Sequence, residues 1–317
     1  MYVQKLAKMK HFINLKDISA KDLRKIISDA RKRKNLRKKL NHLDVDKEAP
    51  LKGKLLIQMF EKLSLRTRLS FYLAIRQLGG SALTLRPNEL HLSKGGESIE
   101  DTAKILSNFG NAFMLRTDSD KKLEEFKKHI SVPIINGLSP SSHPTQILSD
   151  ILTVEEIKKK PINKLNIAWI GDCNNVLNSL IAASIKFSFK LKIGCPKKYK
   201  PGRKIIDYIN KSNNKIDFFS SPKKAISNAD VLFSDKVISI NDKVNKTKKL
   251  ESFKKFKIDK KMMSYAKKDC IFLHCLPRGN EVDEKIFSSK QSKVWIQALN
   301  RVHVQKSILL YCFGKLR

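Results

Sequence analysis

No apolar run of about 18 residues occurs in the 317-residue sequence, so nothing in it reads as a membrane-spanning helix. Its first residues lack the apolar core of a secretory signal, and a cytoplasmic location is expected. Cysteine is sparse. Cys173, Cys195, Cys270, Cys275 and Cys312 form no CxxC motif and no ligand set with histidine. That excludes a disulfide scaffold and a structural zinc site, and it reads as reduced thiols. The P-loop pattern is absent, as is GxGxxG, which removes two common nucleotide fingerprints. Acidic residues are also few, 30 against 65 Lys+Arg, for a formal charge of +35. Only 13 of the cations are Arg. The lysines are spread along the whole chain rather than gathered beside exposed aromatics. That fits a solvated surface better than a nucleic-acid interface. Weak, salt-dependent adhesion to polyanions stays open, and a small anionic substrate would profit from the positive field.

What the chain does have is a rhythm of short apolar runs and amphipathic segments. Apolar spacing from Leu23 through Ala30 predicts a helix, capped by Ser19 with Asp22 three residues on. Strands are expected at 54–60, 81–85, 111–115 and 131–137, alternating with helices at 69–78, 98–109, 119–129 and 145–159. The second half repeats the pattern, with strands at 165–172, 190–196, near 216–220, up to Asp235 and at 270–277, and a final helix from about Asn300 to Cys312. Such alternation implies an α/β protein of two domains, each a mostly parallel sheet flanked by helices. The boundaries expected are 1–145 and 146–317, with the last helix, about 300–317, packing back on the first domain.

Ligands in sheets of this kind bind beyond the carboxyl ends of the strands. Those ends carry Ser64, Arg66, Thr67 and Arg68; Arg116; His143 and Gln146; Asp172, Asn174 and Asn175; Asp235 and Ser239; and His274 with Cys275. Alternating hydroxyls and guanidinium groups at a helix start suit a phosphate or carboxylate. They equally suit a helix terminus with surface arginines or an ion-pair network between subunits. Arg116 is either a surface cap or an inward ligand, His143 a structural residue or a ligand, and Cys275 a buried small hydrophobe or a site group. Periodicity and composition alone stop at a two-domain α/β enzyme that binds a small anion.

In order along the chain, SLRTR (64–68), ESIEDTA (97–103), FMLRT (113–117), VPIINGLSPSSHPTQILSD (132–150), GDCNNVLNSL (171–180), HCLPRGNEVDEKIF (274–287) and QALNRVHVQKSIL (297–309) resemble the ornithine carbamoyltransferases of the transcarbamylase superfamily. The resemblance runs nearly the whole chain, and HCLP favours the ornithine branch. It implies transfer of a carbamoyl group from carbamoyl phosphate to the δ-amine of L-ornithine, with no metal or organic cofactor. It also implies a carbamoyl phosphate domain followed by an ornithine domain, and a homotrimer or multiple of trimers. It places Ser64, the Leu65 backbone, Arg66 and Thr67 on the phosphate, and Arg116 between phosphate and carbonyl. His143, Gln146 and Arg301 fall at the carbamoyl group. His91 aligns with the loop residue lent by a neighbouring subunit. For ornithine it implies Asn175, Asp235, Ser239 and Ile240, with Cys275 and the Leu276 carbonyl near the reacting amine. Arg116, His143, Cys275 and Arg301 carry the catalytic roles.

Three segments depart from the family pattern. Leu65 stands where Thr is usual, which removes a hydroxyl beside the phosphate. The loop usually written DVW-x-SMG reads Asp235-Lys236-Val237-Ile238-Ser239-Ile240-Asn241, keeping Asp and Ser but losing Trp, Met and Gly. Cys173 replaces a small residue in the GDxNN turn. Two alternatives follow from these changes: another amine acceptor on the same fold, or a non-catalytic homologue that binds polyanions.

Overall fold

The computed structural model describes residues 9–86, 96–238 and 245–316. The expected positions His91, Ser239, Ile240 and Asn241 lie outside these described residues. Contacts divide the chain into two compact units, residues 1–152 with 299–317, and residues 153–298.

The first unit contains α1 (Ala20–Leu36), β1 (Leu55–Phe60), α2 (Leu65–Gln77), β2 (Ser81–Leu85), α3 (Ile99–Phe109), β3 (Ala112–Arg116), α4 (Asp120–His129), β4 (Ile134–Leu138) and the start of α5 (Pro144–Lys158). Its strands run parallel in the order β2-β1-β3-β4. Ser19 caps α1 as expected, its Oγ accepting the Asp22 N–H at 3.0 Å. Ser98 and Ser119 cap α3 and α4 in the same way. Alternate residues Ile57 and Met59 on β1, and Phe113 and Leu115 on β3, pack with Ala103, Leu106, Leu123 and Phe126 of α3 and α4. The Phe113 and Phe126 rings sit 5.2 Å apart. Each such ring contributes about 1.5–3 kcal/mol through burial.

Helix α2 begins at Leu65, four residues before the apolar spacing predicts. Its core stripe is Phe71, Ala74, Ile75 and Leu78, while the first turn holds polar Arg66 and Thr67. Polar residues in a first turn hide a helix start from any reading based on hydrophobic period.

The second unit contains β5 (Ile167–Ile170), α6 (Asn175–Phe187), β6 (Leu191–Gly194), α7 (Arg203–Asn210), β7 (Ile216–Phe219), α8 (Pro222–Ile226), β8 (Val231–Asp235), α9 (Lys246–Phe253), α10 (Lys260–Ser264), β9 (Ile271–Cys275), α11 (Glu284–Phe287) and the start of α12 (Val294–Cys312). This parallel sheet has the order β7-β6-β5-β8-β9. Its core gathers Ala168, Ile170, Leu232 and Phe272 from the strands with Phe253, Met262, Ile286 and Phe287 from the helices.

Helix α12 starts at Val294, earlier than expected, and from Leu299 onward it belongs to the first unit. There Lys34 donates to Asn300 at 2.8 Å and Ser307 to Asp29 at 2.6 Å. Lys306, fully buried, pairs with Asp46 at 2.6 Å and donates to Gln77. Burial lowers the Lys306 ammonium to about 8 despite Asp46. The same Asp46 takes Arg37 at 2.7 Å and Arg33 at 3.5 Å, so the carboxylate holds three cations and ties the helix to the 41–49 segment.

Candidate functional site

Both sheets reverse their winding beside their first strand. In the first unit β1 has β2 on one side and β3 on the other, and in the second β5 lies between β6 and β8. At such a switch point the loops after the two central strands diverge and leave room for a ligand. The candidate residues stand at these two places.

In the first unit, Phe60 and Arg116 are paired at the ends of β1 and β3. The chain after β1 turns through Glu61–Ser64 into α2. Ser64 is the N-cap residue of that helix, with extended backbone and no cap bond from its side chain. Its hydroxyl and the first N–H groups of α2 are therefore not committed to each other. Glu61 fastens the loop: its N–H donates to the Arg116 carbonyl at 2.9 Å, and its carboxylate accepts from Thr117 at 2.5 Å and pairs with Lys122.

Thr67 is the hub. Its side chain is buried, and Oγ1 accepts from Arg301 Nη2 at 2.6 Å and from Arg116 Nη1 at 3.4 Å. A hydroxyl has two lone pairs and one proton, so two accepted bonds leave the O–H to donate elsewhere. Arg301, 2% exposed, also donates from Nη1 to Gln146 Oε1 at 2.7 Å. Gln146 passes its own amide N–H to Asp150 at 2.8 Å.

His143 enters just before α5 from the 139–142 loop, which is stitched down from below. Asn136 of β4 donates to the Ile13 carbonyl at 3.0 Å and to Ser142 at 2.9 Å, while Asp120 accepts from Ser139 and Ser141. The imidazole is 1% exposed. Burial, then the charges of Arg301, Arg116 and Arg66, hold it well below 6.5, so it is neutral near pH 7. Thr67, Arg116, Gln146 and Arg301 are thus linked by hydrogen bonds, and the fields of Arg66, Arg116 and Arg301 reach His143. Leu65 is 71% exposed and offers its backbone alone.

In the second unit, β5 runs into Gly171, whose φ of +146° is open to glycine and strained for other residues. A Cβ there would stand 3.4 Å from Ser234 Oγ. The turn then delivers Asn174, which caps α6 through Oδ1 and donates from Nδ2 to Asp235 Oδ2 at 2.7 Å. Asn175 opens the helix beside it. Asp235 lies opposite Cys275 in the β8–β9 register. Burial pushes the Asp235 carboxyl up to about 6, against the pull of His274, the Lys236 N–H and Asn174. Cys275 is buried at the end of β9, followed by Leu276 and a cis Pro277.

Two partners were not legible from motif position. His274 faces Glu281 at 3.0 Å, both side chains buried. Burial pushes the Glu281 carboxyl up, but His274 and the Gly279 N–H outweigh it and hold it below its usual range. Lys249 of α9 pairs with Asp172 at 2.6 Å, with both side chains almost out of solvent. The only sequence signal for Glu281 is a carboxylate seven residues past His274, and for Lys249 there is none among so many lysines. A separate cavity of about 210 Å³, edged by Lys190, Lys192 and Lys215, opens at the amino ends of β5–β7, away from these groups. Among the described residues no cluster of three His, Cys, Asp or Glu is placed to hold a metal.

Comparison with known proteins identifies the family of both units. Residues 10–156 match the carbamoyl-P binding domain of aspartate/ornithine carbamoyltransferase, and residues 163–312 its Asp/Orn binding domain. The chain is 42% identical over 307 residues to an ornithine carbamoyltransferase of Caulobacter vibrioides, covering 96% of this chain and 98% of that one. Among solved structures, the ornithine carbamoyltransferase from Pyrococcus furiosus superposes with a TM-score of 0.89 at 35% identity, covering 96% of this chain and 97% of the other. The anabolic enzyme from Campylobacter jejuni gives 0.87 at 36% identity, covering 97% and 100%. Two family domains that together match most of the sequence, and relatives aligned almost end to end, establish that the chain belongs to the aspartate/ornithine carbamoyltransferase family.

Proposed function

We propose that the cationic hub around Thr67 binds carbamoyl phosphate and that the Asp235–Cys275 strand ends bind L-ornithine. The protein is an ornithine carbamoyltransferase, forming L-citrulline and phosphate. The observation that carries the reading is Thr67 Oγ1, which holds Arg301 and Arg116 on one oxygen beside a neutral His143.

The phosphate is taken by Ser64, the Leu65 N–H, Arg66 and Thr67 at the start of α2, where helix N–H groups and guanidinium charge act together. Arg116 spans phosphate and carbonyl oxygen. As the amine attacks the carbonyl carbon, charge grows on that oxygen. Arg116, the His143 N–H and the Thr67 O–H are the donors that stabilise it. A neutral imidazole suits this task, since it donates without delivering a proton. Gln146 and Arg301 hold the carbamoyl group in line, so the catalysis is positioning and charge.

On the amine side, Asp235 takes the α-ammonium, with Asn175, Ser239 and Ile240 at the carboxylate end. A bound ammonium favours the ionised carboxylate and lowers Asp235 from its raised value. Cys275 and the Leu276 carbonyl face the δ-amine, which must be neutral to attack. The His274–Glu281 pair sets the charge behind them. The chain is proposed to work as a trimer, with His91 supplied to a neighbouring site, and in the cytoplasm. Support for self-association is apolar surface in the first unit: Leu65, Leu69 and Tyr72 along one face of α2, Leu83 on edge strand β2, and Ile105 and Phe109 on α3, are all exposed. No helix among the described residues is long and apolar enough to cross a membrane.

The deciding measurement is steady-state citrulline and phosphate release from carbamoyl phosphate with ornithine, putrescine or aspartate as acceptor, with sedimentation to count subunits. Equimolar products with ornithine preferred are expected. Folded protein that makes no citrulline above background overturns the assignment.

A further inference from the structure

We infer that Cys173 and Cys195 are a dithiol modification site, which hydrogen peroxide oxidises to an intramolecular disulfide at the edge of the GDCNN turn. Strands β5 and β6 are parallel neighbours with Ile170 opposite Gly194, and the Gly171 N–H donates to the Gly194 carbonyl at 3.1 Å. Both strands end there together. Cys195 is the next residue on β6, and Cys173 lies in the turn that leaves β5, its N–H held by Asp172 Oδ1 at 3.0 Å. The two thiols lie close enough to perturb one another, with Cys173 half-buried and Cys195 1% exposed. Cys173 is also one of the positions where this chain leaves the family pattern.

The surroundings split the pair: Cys195 and then burial push the Cys173 thiol up. The Cys173 S–H and then the Lys200 ammonium hold the Cys195 thiol below its ordinary value, while burial and Asp172 oppose them. The Cys195 sulfur, as the thiolate, attacks the peroxide. An S–O bond forms, the O–O bond breaks and hydroxide leaves. The Cys173 sulfur then attacks the sulfenic sulfur. The S–S bond forms, the S–O bond breaks, and the second oxygen leaves as water with the Cys173 proton. Each sulfur gives up one electron, two in all, and one peroxide is reduced.

A disulfide draws the sulfurs to about 2.05 Å, shorter than any thiol hydrogen bond. The turn that must follow carries Asn174, bonded to Asp235 at 2.7 Å, and Asn175. The functional consequence rests on the proposed ornithine site, whereas the cross-link itself does not.

The test uses the purified full-length chain, reduced and then exposed to hydrogen peroxide, with peptide mass mapping under non-reducing conditions and citrulline assays. A peptide joining Cys173 to Cys195, lighter by two hydrogens and released by dithiothreitol, is expected. The KM for ornithine should rise about tenfold, the size of one lost hydrogen bond, with the KM for carbamoyl phosphate unmoved. Cys173→Ser should keep the activity of the reduced enzyme and lose the response, and Cys195→Ala should do the same. A map with both thiols unlinked after peroxide, or linked to other cysteines, overturns the inference. A Cys173–Cys195 link in a protein that makes no citrulline even when reduced supports the dithiol site and overturns the ornithine assignment instead.

Discussion

Replacing Thr67 by Val should separate the two guanidinium groups that its hydroxyl joins. The substitution keeps the β-branched shape inside α2 but removes the acceptor of a 2.6 Å bond from Arg301 and a 3.4 Å bond from Arg116. A hydrogen bond to a charged group is worth about 1.5–3 kcal/mol, and the longer contact adds less than about 1 kcal/mol. A loss of about 2–4 kcal/mol corresponds to roughly 30- to 700-fold in kcat/KM for carbamoyl phosphate. Two effects contribute. Arg301 loses the fixed point that aims its other nitrogen at Gln146, and the Thr67 O–H no longer reaches the carbonyl oxygen. Thr67→Ser restores both functions of the oxygen and should return most of the activity. The assay is citrulline formation at saturating ornithine across carbamoyl phosphate concentrations, with urea unfolding to confirm that both variants are folded. A folded Thr67→Val enzyme with near wild-type kcat/KM would refute the hub.

Two further changes test the flanks of the site. Leu65→Thr replaces an exposed side chain at the start of α2 with the family hydroxyl; it should lower the KM for carbamoyl phosphate by up to about tenfold, and an unchanged or higher KM would place that side chain off the phosphate. Asp235 has a folded value near 6 against an ordinary 3.8, so its contribution to stability is full below 3.8 and is lost as pH rises through about 6. The ionised form therefore costs the free enzyme stability at neutral pH, at most about 3 kcal/mol and less for the water that reaches it. Asp235→Asn should raise the urea midpoint while cutting kcat/KM for ornithine about 100-fold or more, the scale of a lost charge-assisted bond of about 3 kcal/mol. In the wild type, the KM for ornithine should climb as pH falls below about 6; a flat profile with an undamaged Asp235→Asn enzyme would remove the ammonium from this carboxylate.

The elements were legible where one period dominated. Strands such as IAWI and VLFSD read directly, because a strand buried on both faces is a continuous apolar run. Helix ends were harder. Arg66 and Thr67 sit in the first turn of α2 because they are needed at the strand end, which breaks the apolar repeat there. Val294 to Leu299 continue as helix ahead of the expected start because Trp295, Ile296 and Leu299 are exposed, so their apolar spacing marks no core face. The candidate site residues form a set in the sequence only through the ordered motifs. The bond from Arg301 to Thr67 joins positions 234 residues apart, and no local pattern encodes it. Glu61, Asn136, Asp120 and Lys249 were missed because each acts on a loop rather than on a motif. Cys195 carried no signal until the strand register set it beside Cys173.

The net charge of +35 describes the chain and misdescribes its site. A uniformly positive field would draw carbamoyl phosphate and repel ornithine, which carries two ammonium groups and one carboxylate. The fold resolves this locally. Around Thr67 two arginines meet on one hydroxyl beside a neutral histidine, which concentrates positive charge where the proposed anion would bind. At the ends of β5, β8 and just past β9 stand Asp172, Asp235 and Glu281, three of only 30 acids in the chain. Two of them are already matched, Asp172 by Lys249 and Glu281 by His274. Asp235 is held by an amide and a backbone N–H, and burial outweighs these and the charge of His274 to keep its value raised. In the proposed site a substrate ammonium compensates that burial. On this proposal, the residue that costs the free enzyme stability is the one that distinguishes an amino-acid acceptor from any other small molecule the positive surface attracts.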